Sequence, residues 1–256
     1  MIKKITLSTL YVLFVFLTSC QKDKVELTWE TKSFTENDME LCNEIPCPEI
    51  TVEYLHFQGD DLAASKINEK ISEFIINSLE LNLETPSDVE SIDEAAENFA
   101  TIYYKDLQDF PEMTGEYVSK IRIKELYSDS EIISLEMFQY LYSGGAHGYS
   151  STHFMNLNPK TGKEYSMEDI FTDSEAFKAY AETKFRQDHG ISPEAAINET
   201  GFWFNDNTFS LPTSFGFTSD SLIFIYNQYD IASYADGPIE LRMSKNDVAT
   251  FLKPLK

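Results

Sequence analysis

The sequence predicts an α+β fold: mixed, mainly antiparallel sheets packed by helices, in two closely associated subdomains. Three observations carry this. Short runs rich in β-branched and aromatic residues alternate in polarity, as half-buried strands do. Two longer runs space their apolar residues at steps of three and four, as helices do. Strands and helices follow one another without a repeating βαβ rhythm, which favours α+β over a parallel, doubly wound sheet.

Taken in order, "ITVEYLHF" (Ile50–Phe57) alternates imperfectly and reads as a strand. Asp60 and Asp61 then open a helix with Ile67, Ile71, Phe74, Ile75 and Leu79 on one stripe. After Pro86, Ser87-Asp-Val-Glu90 forms a capping-box pattern, followed by Val89, Ile92, Ala96, Phe99 and Tyr103 at helical spacing. In "EYVSKIRIKELY", Tyr117, Ile121 and Ile123 oppose Lys120, Arg122 and Lys124, which suits a sheet with one wet face. "EIISLEMFQYLYS" becomes apolar on both faces, as a central strand does. Asn158 to Gly162 reads as a turn between two short strands, and Ser166-Met-Glu-Asp169 as a second capping box. A helix over Ser174–Asp188 turns Phe177, Tyr180, Ala181 and Phe185 inward. "SLIFIY" (Ser221–Tyr226) reads as a buried strand, "PIELRM" as an alternating one, and "KNDVATFLKPL" as a closing helix.

The N-terminus has the form of a secretion leader. Lys3 and Lys4 precede an apolar run, Ile5–Leu17, that is short of the ~20 residues a bilayer span needs. Leu17-Thr-Ser-Cys20 resembles the bacterial lipoprotein signal, in which the cysteine becomes the first mature residue and carries acyl chains. More than one chain makes a stable anchor, since each buried CH₂ contributes about 0.8 kcal/mol. Residues 1–19 are thus expected to be a signal peptide, and Cys20 the lipidation (palmitate) site on a tether over residues 20–41. The expected location is the bacterial outer membrane or cell surface, membrane-anchored and extracytoplasmic. Gln21-Lys-Asp-Lys24 resembles the charged surface-export tags of some Bacteroidetes lipoproteins, and a plain solvated tether fits it equally.

With Cys20 acylated, Cys42 and Cys47 are the remaining thiols, and an oxidising compartment favours pairing them. So small a loop contributes about 2 kcal/mol in the chain-entropy model. Zinc is the alternative, but no second cysteine or histidine pair completes such a site. Removing residues 1–19 from 256 leaves 237, enough for one large domain or two small ones. The net charge of −23 becomes −25 without Lys3 and Lys4. That balance argues against nucleic acid and favours solubility and cationic partners.

Several residues invite chemistry. His147 and His153 on one continuous strand would lie about 20 Å apart, too far to share a metal. His147 is open to three readings: a hydrogen-bonded structural residue, a ligand contact, or a base or metal ligand. Gly144 and Gly145 suit a loop with positive φ or close backbone approach. "YDIASYADG" (Tyr229–Gly237) joins two strands, shaped by Gly237, and offers Tyr229, Tyr234 and Asp236 as contacts. The two tyrosines also suit plain packing. No Gly-x-Ser-x-Gly, His-Glu-x-x-His or phosphate-loop element occurs, so no catalytic residue, metal or cofactor is assigned.

Together these motifs resemble a known pair of extracytoplasmic domains. Gly144-Gly-Ala-His147, Asn158 with Thr161-Gly162, Asp169-Ile-Phe171 and Tyr229-Asp-Ile-Ala-Ser-Tyr-Ala-Asp-Gly237 are similar to the C-terminal domain shared by RsiV-type lysozyme-sensing anti-sigma factors and the accessory region of PdaC-type deacetylases. "CPEITVEYLHF" and the two helices resemble the smaller domain that precedes it. The resemblance implies a small subdomain over 42–112 and an RsiV-like domain over 113–256. Ser233 stands where that family's loop has proline. The resemblance further implies ligand binding rather than reaction: a lipid-anchored envelope protein recognising a cationic protein such as lysozyme, or peptidoglycan glycan. The deacetylase's His-x-x-x-His metal motif is missing, which leaves its acidic pair without histidine partners, and no cytoplasmic signalling portion is read. An acid-dependent carbohydrate-active hydrolase and a purely structural envelope protein are the alternatives.

Overall fold

The structure is a computed structural model that describes residues 27–59, 61–81, 88–112 and 115–255. The leader, Cys20, Asp60 and Ser87 lie outside the described residues. The fold is α+β, with a five-stranded mixed sheet and a three-stranded antiparallel sheet.

The larger sheet runs in chain order through β1 (Thr28–Thr35), β2 (Glu49–Gln58), β3 (Val118–Ser128), β4 (Ile133–Tyr142) and β5 (Tyr149–Leu157). All its neighbours are antiparallel except β2 and β3. The crossover between those two holds α1 (Asp61–Leu79) and α2 (Ile92–Asp109). This one parallel pair is what makes the sheet mixed, as the fold class anticipated. Parallel neighbours need a long connection, and the helix pair supplies it.

The helices form where their apolar stripes meet this sheet. Ile67, Ile71, Ile75 and Leu79 of α1, with Ala96, Phe99 and Tyr103 of α2, share a core with Ile50, Val52, Phe57, Ile121, Ile123 and Leu135. Each fully buried Ile, Leu, Val or Phe among them contributes about 1.5–3 kcal/mol. Phe74 is only half-buried at the rim, its ring edge toward His153 at 6.2 Å. Ser91 caps α2, its side chain accepting from the Glu94 N–H, so the helix starts four residues after the anticipated Ser87.

Two boundaries differ from expectation. Residues 28–35, assigned to the tether, form β1, because Trp29 packs 5.2 Å from the Phe57 ring and Phe34 reaches the same core. The division between residues 112 and 113 falls inside the larger sheet, whose β2 and β3 pair from Glu49↔Val118 to Glu53↔Arg122. The first core runs from Met39 to Leu157, since α1 and α2 cover β3 and β4 as well as β2.

The second core is aromatic. It is built by β6 (Phe215–Phe217), β7 (Ser221–Tyr226) and β8 (Ile239–Ser244), with α3 (Met167–Ile170), α4 (Ser174–Asp188) and α5 (Lys245–Val248). The Asp173 carboxylate caps α4 by accepting from the Glu175 and Ala176 N–H groups. Phe177 stacks on Phe171 at 4.0 Å, and Phe185 meets Phe202, Phe204, Phe209 and Tyr226. The anticipated closing helix is cut to α5 and one 3-10 turn, Ala249–Phe251. The Phe251 carbonyl instead accepts from Thr172 N–H, and Leu252 bridges Phe171.

The two sheets touch at β5 and β6. Asn156 donates to the Phe215 carbonyl at 2.6 Å, and Phe217 N–H donates to Ser134 Oγ at 2.8 Å, both buried. Gly216 passes so close to Phe154 that a Cβ would sit 2.5 Å from its ring. The contact between the sheets continues along β5 from Asn156 to Thr152 and Ser150, and the candidate site lies at that far end.

Candidate recognition site

The β4–β5 hairpin turns through residues 143–148. Gly144 and Gly145 both hold φ at 95°, and a Cβ on Gly145 would meet nothing. Conformation, not crowding, therefore requires glycine here. Gly148 is the opposite case, since an added Cβ would lie 2.4 Å from the Tyr140 hydroxyl. Tyr142 Oη donates to the Gly145 carbonyl and fixes the turn.

This turn presents His147 to a loop from the other sheet. The imidazole stacks on Tyr234, centroids 3.9 Å apart. Its Nδ1 lies 3.0 Å from the Gly148 carbonyl, which also accepts from Tyr234 Oη at 3.0 Å. A carbonyl only accepts, so in the neutral ring Nδ1 carries the proton and Nε2 is left as an acceptor. The Tyr229 hydroxyl approaches that Nε2 at 3.5 Å. His147 is thus hydrogen-bonded through Nδ1 and stacked on one face.

The β7–β8 loop is clasped to the edge of β5. Asn227 accepts from Thr152 N–H at 2.7 Å and donates to the Thr152 carbonyl at 3.2 Å. Its amide thus replaces a missing neighbour strand. Gln228 accepts from the Ser150 hydroxyl and donates to the Tyr234 carbonyl. Asp230 accepts from Asn227 N–H. One Asp236 oxygen accepts from both Ser233 N–H and Ser233 Oγ, closing a 3-10 turn over Tyr234–Asp236. Ser233, which stands at the position noted for its departure from proline, thus holds the turn through two hydrogen bonds to Asp236. Gly237 ends it at φ 71° and ψ −169°, a conformation open essentially to glycine.

Tyr229 is the strained member. Its backbone is left-handed, φ 71°, although it carries a bulky side chain, and the residue is 51% exposed. Such a conformation costs about 1–3 kcal/mol. Trp203 stands beside it, 44% exposed, donating from its backbone to Ile231 and from Nε1 to the Tyr229 carbonyl. The sequence reading overlooked Trp203. Its signal was the aromatic run Phe202-Trp-Phe204 in a stretch without period, of which only the middle residue stays exposed.

The stretch of sequence that carries this loop has charged side chains of one sign. From Gln187 to Leu241 the sequence holds eight acids and neither lysine nor arginine. His153, the other histidine considered, faces Phe74 from β5 and takes no part in the stack. Among the described residues, no group of three or more His, Cys, Asp or Glu is placed to hold a metal ion. Cys42 and Cys47 form a disulfide, Cα atoms 5.3 Å apart, which staples the entry to β2 and decides between the two readings of that pair. An open groove of about 480 Å³ lies elsewhere, lined by Glu164, Tyr165, Ser166, Met167, Glu168 and Thr213. None of the aromatic cluster lines it, and its Glu164 is paired with Lys70.

Residues 41–150 match the family model described as deacetylase PdaC, and residues 168–246 match that of a protein family of unknown function, DUF3298. Among solved structures, a member of the DUF3298 family from Bacteroides fragilis aligns with a TM-score of 0.67 at 20% identity, covering 91% of this chain and 96% of its own. A DUF3298 family protein from Pseudomonas aeruginosa aligns with a TM-score of 0.56 at 17% identity, over the same shares. At such identities the likeness shows the fold alone. No curated protein matches the chain in sequence. His147 lies in the first matched region and Tyr229–Gly237 in the second, so the cluster is assembled across both.

Proposed function

We propose that this chain, which joins a PdaC-type region to a DUF3298 region as its motifs suggested, is a lipid-anchored binding protein of the bacterial cell envelope. Its recognition surface is the cluster of the exposed His147, Tyr229 and Trp203 around the half-buried Tyr234, and its ligand is a cationic protein such as lysozyme. One observation carries the reading. Two loops far apart in sequence are hydrogen-bonded together so as to leave aromatic faces in solvent. Large exposed aromatics held rigidly are typical anchors of interfaces. The absence of lysine and arginine from residues 187–241 supports a cationic ligand, since nothing in that stretch repels one.

A cell-wall glycan is the second reading. The faces of Trp203 and Tyr229 favour it, because flat apolar rings with a polar rim suit sugar stacking. A pull-down of the purified chain against immobilised lysozyme and purified peptidoglycan separates the two. Capture by lysozyme that falls steeply with added salt supports the first, through screening of charge. Salt-insensitive capture by peptidoglycan supports the second. Retention by neither, or turnover of muropeptides abolished by one acid substitution, overturns both.

A further inference from the structure

The two edges of the larger sheet are treated differently. The edge of β5 is covered by the Asn227 and Gln228 amides. The edge of β1 is left open, since β1 is the terminal strand and pairs only with β2 among the described residues. An open edge carries unpaired N–H and C=O groups and is a template for another strand. From Thr28 to Ser33 every residue but Trp29 is exposed.

The side chains of β1 specify which strand fits. Glu30 and Lys32 lie two apart, hence on the same face, and bridge each other at 2.8 Å. An edge defended by lysines alone repels its own copy, whereas this one is self-complementary. Antiparallel pairing about a two-fold axis through Thr31 sets Glu30 opposite the partner's Lys32, and Lys32 opposite the partner's Glu30. Trp29 then faces the partner's Ser33, and Thr28 the partner's Phe34. Sliding the pairing by one step either way, with side chains kept on their faces, sets Glu30 on Glu30 or Lys32 on Lys32. Opposite charges directly across a strand pair stabilise it and like charges destabilise it.

We infer that β1 is a self-association edge. Two copies of this chain join antiparallel through Thr28–Phe34, centred on Thr31, and extend the five-stranded sheet across a two-fold axis. The contact is isologous, so the same strand serves both copies and the assembly closes at two. It is independent of the recognition cluster, which belongs to the other side of the sheet order.

Sedimentation velocity of the purified chain over a concentration series tests this. The expected result is a reversible monomer–dimer equilibrium. Lys32→Glu and Glu30→Lys each shift it at least tenfold toward monomer, and the double reversal restores it, while all variants keep the wild-type unfolding transition. Thr31→Pro, which removes an edge donor, also yields monomer. A wild type that stays monomeric to its solubility limit overturns the inference. So does a dimer indifferent to both single reversals, because it would use another face.

Discussion

The His147 imidazole lies flat on the Tyr234 ring, planes 24° apart, and both side chains hydrogen-bond the single carbonyl of Gly148. The stack is the physical link between the hairpin of one sheet and the loop of the other. Tyr234→Phe keeps the stack and removes one hydrogen bond, so it costs about 1 kcal/mol in urea unfolding. Tyr234→Ala also removes the ring and costs about 1 kcal/mol more. A double-mutant cycle with His147→Ala isolates the coupling, which is lost only where the ring is lost. Both alanine variants are expected to abolish ligand capture.

Tyr229 tests strain against function. Both Tyr229→Ala and Tyr229→Gly remove the ring, but only glycine relaxes at φ 71°. The glycine variant is therefore expected to be more stable than the alanine variant by about 1 kcal/mol, the reverse of the ordinary order. Equilibrium denaturation measures the difference. Neither variant should retain binding.

Gly216→Ala should damage the junction between the sheets. The new Cβ would stand 2.5 Å from the ring of the buried Phe154, and the ring has no free end to swing away. Overpacking of this kind costs about 1–3 kcal/mol. The urea midpoint should drop while each sheet keeps its far-ultraviolet signature.

Acid should weaken the second core through His189. Its ring lies 4.4 Å from Phe185 and 4.9 Å from Phe202, and burial there holds its pKa below the ordinary imidazole value. The unfolded chain therefore takes up the proton first, near pH ~6.5. The contribution of the neutral ring is complete above that pH and is lost as pH falls through the lower, folded value. Proton NMR should show His189 titrating below ~6.5. His189→Gln should lack this acid-dependent part of the stability curve.

Much of the fold was legible because its signals are local. The helix Ser174–Asp188 was read to the residue, since Asp173 caps it and Phe177, Ala181 and Phe185 share one face. The strand Ser221–Tyr226 was equally plain. Thr28–Thr35 was missed because its polarity follows no period: its two large apolar residues, Trp29 and Phe34, are five apart and fall on opposite faces of an ideal strand. Trp203 was missed because an aromatic run in a loop does not say which ring will remain outside.

His147, Tyr229 and Tyr234 could be named from the chain, because a pair of glycines and a Tyr-rich turn are visible as motifs. Their meeting could not. Tyr229 and His147 are 82 positions apart, and backbone preference and periodicity act over a few residues only. Local chemistry thus determined which segments curl, extend or turn, and that Cys42 and Cys47 are close enough to join. Docking of the two cores determined which strand lies beside which, which ring covers His147 and which sheet edge is left open among the described residues. Those outcomes depend on how whole apolar faces fit together, a property that no single stretch of sequence carries.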